Sequence, residues 1–183
     1  MSDLTERGVC REEIYRGKVL RVVKDGVVLP NGEPSEREFC IHIGAVAVIP
    51  LLSDGRVIME RQYRYAHGRV FLEIPAGKLD SSEEPPLFAA KRELLEETGA
   101  VAESYTFLGE LDTTPAITTE KIYMYLARDI KMRERSLDAD EFIDLEFIHI
   151  DKLYEMVMSG EIRDAKTQIA VLKVKEILRN EEK

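Results

Sequence analysis

The sequence predicts an α+β fold with mixed sheets and few helices, on three observations. Residues 14–75 are strand-like, the residue period changes once after Gly77, and the chain closes with two helical segments. Val19–Val23, Gly26–Leu29, Ile41–Leu52 and Val57–Tyr63 are rich in β-branched and aromatic residues and read as strands, with a loose arm before about residue 16. Pro30-Asn31-Gly32-Glu33 and Ser53-Asp54-Gly55 read as hairpin turns, since Gly and Asn accept the backbone angles that tight turns need. A polar loop ending in Pro85-Pro86 then leads into a helix of about three turns over Leu87–Thr98. Pro86 has the fixed φ that suits a first helical turn, and Gly99 can adopt the left-handed C-cap. Strands resume over Ser104–Leu111, Lys121–Ala127 and Phe142–Ile150, followed by helical patterns over Lys152–Met158 and Asp164–Leu178.

With 183 residues and 44% hydrophobic content, the chain is long enough for one ordinary domain with its own core. Its 26 basic against 35 acidic residues, a net charge of −9, argue against a general nucleic-acid-binding surface, which needs clustered positive charge. Bound metal ions would still let an acidic protein take an anion. Cys10 and Cys40 are too few and too far apart for a disulfide framework or a zinc finger, which points to a reducing cytoplasm. The N-terminus has no apolar run behind a basic start, and no stretch of about 18 uncharged apolar residues occurs, so neither export nor membrane insertion is expected.

The chemistry concentrates in Arg92-Glu93-Leu94-Leu95-Glu96-Glu97-Thr98-Gly99. At about 100° per residue, Glu93, Glu96 and Glu97 share roughly a 100° arc, beside an inward face of Leu87, Ala90 and Leu94. Glu93 and Glu97 form an i,i+4 like-charge pair, a liability that a bound cation turns into a ligand set. Mg²⁺ fits best, with Mn²⁺ as the alternative, because Mg²⁺ prefers oxygen and commonly joins one or two carboxylates to substrate phosphates. Arg92 can reach Glu96 one turn on and hold it in place. A solvated acidic face is nevertheless the commoner fate of a Glu-rich helix, so the flanking residues decide.

From Gly77 to Ala100 the chain closely resembles the Nudix box: Gly, five residues, Glu, seven residues, then Arg-Glu-apolar-any-Glu-Glu-any-Gly-apolar. Arg92–Ala100 matches every fixed position, whereas the interval from Gly77 to Arg92 is one residue longer, so either Glu83 or Glu84 fills the early glutamate position. The resemblance implies an α/β/α sandwich that cleaves a nucleoside diphosphate linked to another moiety, with divalent metal activating water. Carried over residue by residue, it implies Glu93, Glu97 and the backbone carbonyl of Ala76 as metal ligands, and Glu96 as a further ligand or local base.

Beyond the box, the chain resembles the ADP-ribose pyrophosphatase branch of that family. Arg61-Gln62-Tyr63-Arg64 followed by Glu73-Ile74-Pro75-Ala76-Gly77 is similar to the segment in which Arg64 and Glu73 would help hold substrate. Pro115 lies fifteen residues after Ala100, close to the branch's marker proline, although Ala116 follows where Gly is usual. Asp138–Ile143 resembles an acidic loop supplying a late metal ligand, here Glu141, and the catalytic base. Ala139 stands where relatives often carry a glutamate base, which leaves that role among Glu141, Asp140 and Glu96. Arg37 and Glu38 sit where the branch contacts ribose or phosphate, often from the partner subunit, and Arg64 suits paired phosphate oxygens.

The resemblance also implies a homodimer, with residues 1–45 forming an N-terminal arm and antiparallel strands in dimer contact and residues 46–183 the hydrolase domain. The expected reaction is Mg²⁺-dependent hydrolysis of ADP-ribose, a nucleoside-diphosphate sugar, to AMP and ribose 5-phosphate. Another nucleotide sugar or dinucleotide, or a binding module that senses ADP-ribose without cleaving it, are the rival readings.

Overall fold

The computed structural model describes residues 2–137, 139–181 and 183, which fall into two compact units. The first comprises the residues up to Gly44 together with Asp112–Lys121. It is a three-stranded antiparallel sheet of β1 (Arg7–Arg16), β2 (Arg21–Val28) and β3 (Pro34–Ile41), in the order β1-β2-β3. The expected loose arm is instead the ten-residue strand β1, every residue of which is exposed within the chain. Its backbone hydrogen bonds to β2 hold it, so it lacks the alternation that reveals a half-buried strand. The two strands expected on either side of Lys24 and Asp25 are one strand, with Gly26 in its interior. The turn expected at Pro30–Glu33 closes the β2–β3 hairpin, Gly32 taking φ 91°. Residues 112–121 join this unit through Cys40, whose backbone pairs with Ile117 and Thr119.

The second unit, Ala45–Leu111 with Ile122–Lys183, carries the box. Its strands are β4 (Ala45–Pro50), β5 (Arg56–Arg64), β6 (Arg69–Glu73), β7 (Ala76–Lys78), β8 (Ala100–Asp112), β9 (Lys121–Met132) and β10 (Ile143–His149). Its helices are α1 (Pro86–Thr98), α2 (Ile150–Met158) and α3 (Ala165–Glu181). One sheet runs β7-β4-β9-β8 and is mixed, β4 being parallel to β9 and antiparallel to β7; the other, β10-β5-β6, is antiparallel. The turn at Ser53-Asp54-Gly55 connects β4 to β5, with Gly55 at φ 82°.

Strand β4 is buried along its whole length because both faces are covered. Ala45, Ala47 and Ile49 pack with Leu153 of α2 and Val171 and Val174 of α3, while Val46 and Val48 pack with Ala89, Ala90 and Leu94 of α1. Alternation along one strand thus sends side chains to helices on opposite sides, which makes this unit the expected α/β/α sandwich. Among the described residues no helix is long and apolar enough to cross a membrane.

Candidate functional site

Helix α1 begins on Pro86 at N1 and ends at Gly99, which takes φ 74° and donates its N–H to the Leu95 carbonyl at 2.8 Å. Ala89, Ala90, Leu94, Glu97 and Thr98 form its buried face. Leu87, expected inward, is exposed, lying in the first turn of the helix. Among the acids of this helix Glu97 is the deepest, 4% exposed, and its Oε2 accepts the Ala76 N–H at 3.0 Å. Glu93 is nearly buried and Glu96 half-exposed. Gly77 has no positive φ to explain its choice, but a Cβ there would overlap the Glu93 carboxylate. Its missing side chain is therefore the room in which that carboxylate lies.

Arg92 organises this region. Its Nη1 donates to Glu93 Oε1 at 2.7 Å and Glu96 Oε2 at 3.2 Å, Nη2 to the Lys78 carbonyl at 3.1 Å, and Nε to Glu84 Oε1 at 3.3 Å. Burial opposes its charge, but the hydrogen bonds to Glu84 and Glu93 outweigh that and raise its pKa. Glu84 also accepts the Asp80 N–H at 2.6 Å, whereas Glu83 contributes only a backbone N–H to Ser81 Oγ. Of the two candidates for the early box position, Glu84 is the one joined to the arginine. The extra loop residue is absorbed before α1, and the register of Arg92–Gly99 is untouched.

The second cluster joins β5, β6 and α3. Arg64 grips Glu73 through Nε and Nη2, both at 2.9 Å, and keeps 41% of its own side chain exposed. Glu73 is 4% exposed and also receives Lys166, which pairs with Asp164 at 3.0 Å. Burial pushes Glu73 up, but the combined bonds and charges of Arg64 and Lys166 hold its pKa below the ordinary value. Asp164 caps α3, accepting the Thr167 N–H at 2.9 Å, and Thr167 Oγ1 in turn accepts the Ile74 N–H at 3.0 Å. Residues 73–76 are thereby fixed between the last helix and Glu97.

Between these clusters negative charge accumulates. Burial, reinforced by Glu60, Glu93 and Glu141, raises Glu97 to about 10. Burial, opposed by Lys166 and reinforced by Glu73, raises Glu60 to about 8. Burial raises Glu93 as well, against the pull of Arg92. Glu141 is half-buried and its charge reaches all three, while Ala139 and Asp140 are exposed in the preceding turn and Asp138 lies outside the described residues. The structure therefore brings together Glu93, Glu96, Glu97, Ala76, Arg92 and Glu141, and separately Arg64 and Glu73. Arg37 and Glu38 lie on β3 in the other unit, Arg37 bonding Glu6 and Glu38 standing opposite Lys24.

The sequence reading missed Glu60 and Lys166. Glu60 was signalled by a charge ending the apolar run Val57-Ile58-Met59, and Lys166 by its place in the first turn of a helix behind a capping Asp164.

With the side chains as they stand, no three acids among the described residues converge tightly enough to enclose a cation. Arg92 draws Glu93 and Glu96 aside and the Ala76 N–H holds Glu97. The donor set nonetheless fits a hard divalent ion: several carboxylates, the room that Gly77 leaves for Glu93, and a buried Glu60 Oε1 with no hydrogen-bond partner among the described residues. Comparison with known proteins agrees with this architecture. The NUDIX domain model matches residues 41–169. An ADP-ribose pyrophosphatase of Bacillus subtilis is 40% identical over 97% of this chain and 98% of its own. A methanol dehydrogenase activator of Bacillus methanolicus is 38% identical over 96% of each chain, and an ADP-ribose pyrophosphatase of Mycobacterium tuberculosis 34% identical over 91% of this chain and 81% of its own. A crystal structure of an ADP compounds hydrolase superposes with a TM-score of 0.88 over 99% of this chain and 98% of the other, at 23% identity, which speaks for the fold. Matching box, matching sandwich and near-full-length relatives agree, and the chain belongs to the Nudix family.

Proposed function

We propose that this chain is a divalent-metal-dependent pyrophosphohydrolase, using Mg²⁺, that cleaves ADP-ribose to AMP and ribose 5-phosphate. The observation that carries the reading is the gathering of Glu93, Glu97 and the half-buried Glu141, in which burial raises Glu93 against the pull of Arg92, and burial together with the charges of Glu60, Glu93 and Glu141 raises Glu97. Near-full-length similarity to ADP-ribose pyrophosphatases supports the substrate class. A bound divalent cation supplies neutralisation of the diphosphate oxygens and activation of water.

Glu93, Glu97, Glu141 and the Ala76 carbonyl would hold the metal, with Glu96 at the rim. Arg92 holds Glu93 and Glu96 beside the site, and the two carboxylates would turn from it towards the metal on binding. Arg64 would bind phosphate oxygens through its exposed part. Glu73, expected to touch substrate, is too buried for that and serves by fixing the Arg64 guanidinium. Of the candidate bases, Glu141 is preferred over the exposed Asp140, because its charge reaches Glu93 and Glu97. Arg37 and Glu38 would contribute from the partner subunit of a cytoplasmic homodimer joined through residues 1–45.

Purified protein incubated with Mg²⁺ and, separately, ADP-ribose, GDP-mannose, NADH and nucleoside triphosphates tests the reading. AMP release fastest from ADP-ribose is expected. Preference for a triphosphate would refute the substrate class, and tight ADP-ribose binding without AMP would refute catalysis. A sizing measurement giving a stable 20.9 kDa monomer would remove the roles of Arg37 and Glu38.

A further inference from the structure

Glu60 is a carboxylate that the box does not account for. It ends the fully buried run Val57-Ile58-Met59-Glu60 of β5 and is 3% exposed. Strand alternation puts it on the face of Ile58, Gln62 and Arg64. Ile58 packs with Ala89, Ala90 and Leu94, so that face looks onto the helix that carries Glu93 and Glu97.

Its surroundings make the charge conspicuous. Directly across the ladder stands Glu73, a like-charged neighbour of the kind that destabilises a strand pair. Arg64 and Lys166 both bond Glu73, and Lys166 divides itself between Glu73 and Asp164. No hydrogen bond or ion pair joins either cation to Glu60, and its Oε1 has no hydrogen-bond partner among the described residues. After burial, Glu60 is the largest influence on the Glu97 carboxyl, and it feels Glu141 in turn. A buried carboxylate oxygen with no partner is disfavoured, and a cation placed between Glu60 and Glu97 would satisfy it.

We propose that Glu60 is a further metal-facing carboxylate of this site, satisfied by the same divalent cation as Glu97, either directly or through a water that the cation retains. The inference rests on the reading of the site as a metal site. It enlarges the ligand environment with a residue from β5, which lies outside the box. The competing explanation, that Glu60 is only a counter-ion for Lys166, is disfavoured by the two acids already bonded to that lysine.

Mn²⁺ binding without substrate, followed by calorimetry or by the spin resonance of free Mn²⁺, tests this on the full chain and its Glu60→Gln and Glu60→Val variants. Both variants are expected to bind Mn²⁺ at least about tenfold more weakly. The metal-induced rise in thermal midpoint should shrink, while the midpoint in EDTA is unchanged or higher. Affinity within twofold of the parent in both variants would overturn the proposal. Unfolding of both in EDTA would also overturn it, since Glu60 would then support the fold without metal. Because no substrate is present, a parent protein that binds Mn²⁺ but forms no AMP defeats only the substrate reading. A parent that binds no Mn²⁺ defeats the metal site itself.

Discussion

Raising the pH of the metal-free protein from 6 to 7.5 should destabilise it, and Mg²⁺ should remove the effect. Glu97 and Glu60 titrate near 10 and 8 in the folded chain, against an ordinary value of 4.5. Both folded values are raised, so the folded state holds extra protons. The stability this represents is complete below about 4.5 and is lost as the pH climbs towards 8 and then 10. Within that window each such group lowers stability by about 1.4 kcal/mol per pH unit. One proton shared by the coupled pair gives roughly 2 kcal/mol between pH 6 and 7.5, and two independent protons roughly 4 kcal/mol. A loss of about 2 kcal/mol is substantial against a total of about 5–15 kcal/mol and corresponds to roughly 4–8 °C in Tm for a chain of this size. Urea unfolding across this range, in EDTA and in saturating Mg²⁺, measures both slopes. A cation displaces the protons, so the Mg²⁺ slope should be flatter. Stability in EDTA that stays level or rises with pH would refute the account of the buried carboxylates.

Other perturbations separate the parts of the site. Glu97→Gln should leave the fold intact, raise the metal-free Tm and lower kcat by orders of magnitude; turnover within about twofold of the parent would contradict its place in the metal site. Gly77→Ala adds a Cβ where the Glu93 carboxylate lies, so Mn²⁺ affinity should fall at least about tenfold with the far-UV circular dichroism unchanged. Arg64→Lys cannot reproduce the two-pronged grip on Glu73, and KM should rise roughly tenfold or more with a smaller change in kcat, measurable in steady-state kinetics. Gly99→Ala forces a side chain into φ 74° and against the Arg133 carbonyl, and should cost about 1–2 kcal/mol in urea unfolding.

The helical half of the site was legible because one period fixes it. Once Pro86 and Gly99 bound α1, the directions of Glu93, Glu96 and Glu97 follow from 100° steps, and the structure places them accordingly. What depends on strand register was not legible. Nothing local says that Glu60 stands opposite Glu73, or that Lys166 reaches a carboxylate 93 residues earlier in the chain. The outer strands were hidden for a different reason. Every residue of β1 is exposed within the chain, so hydrogen bonding defines it while hydrophobic patterning is silent. Glu83 and Glu84 were inseparable by spacing alone, and only the hydrogen bonds of Arg92 tell them apart.

The bond from the Ile74 N–H to Thr167 has a consequence for the order of assembly. Ile74 precedes Ala76, whose N–H steadies Glu97, and its partner opens the final helix. Helix α1 can form from local contacts with its acids already in register, and β4 holds the strand β7 that faces them, but the Ile74 N–H gains its Thr167 partner only when α3 docks. A contact between residues 93 positions apart must first meet its loop-closure entropy, which a local helix does not. Metal affinity should therefore be gained late, after most of the secondary structure, and fraying of α3 should loosen the metal site before the sheets melt.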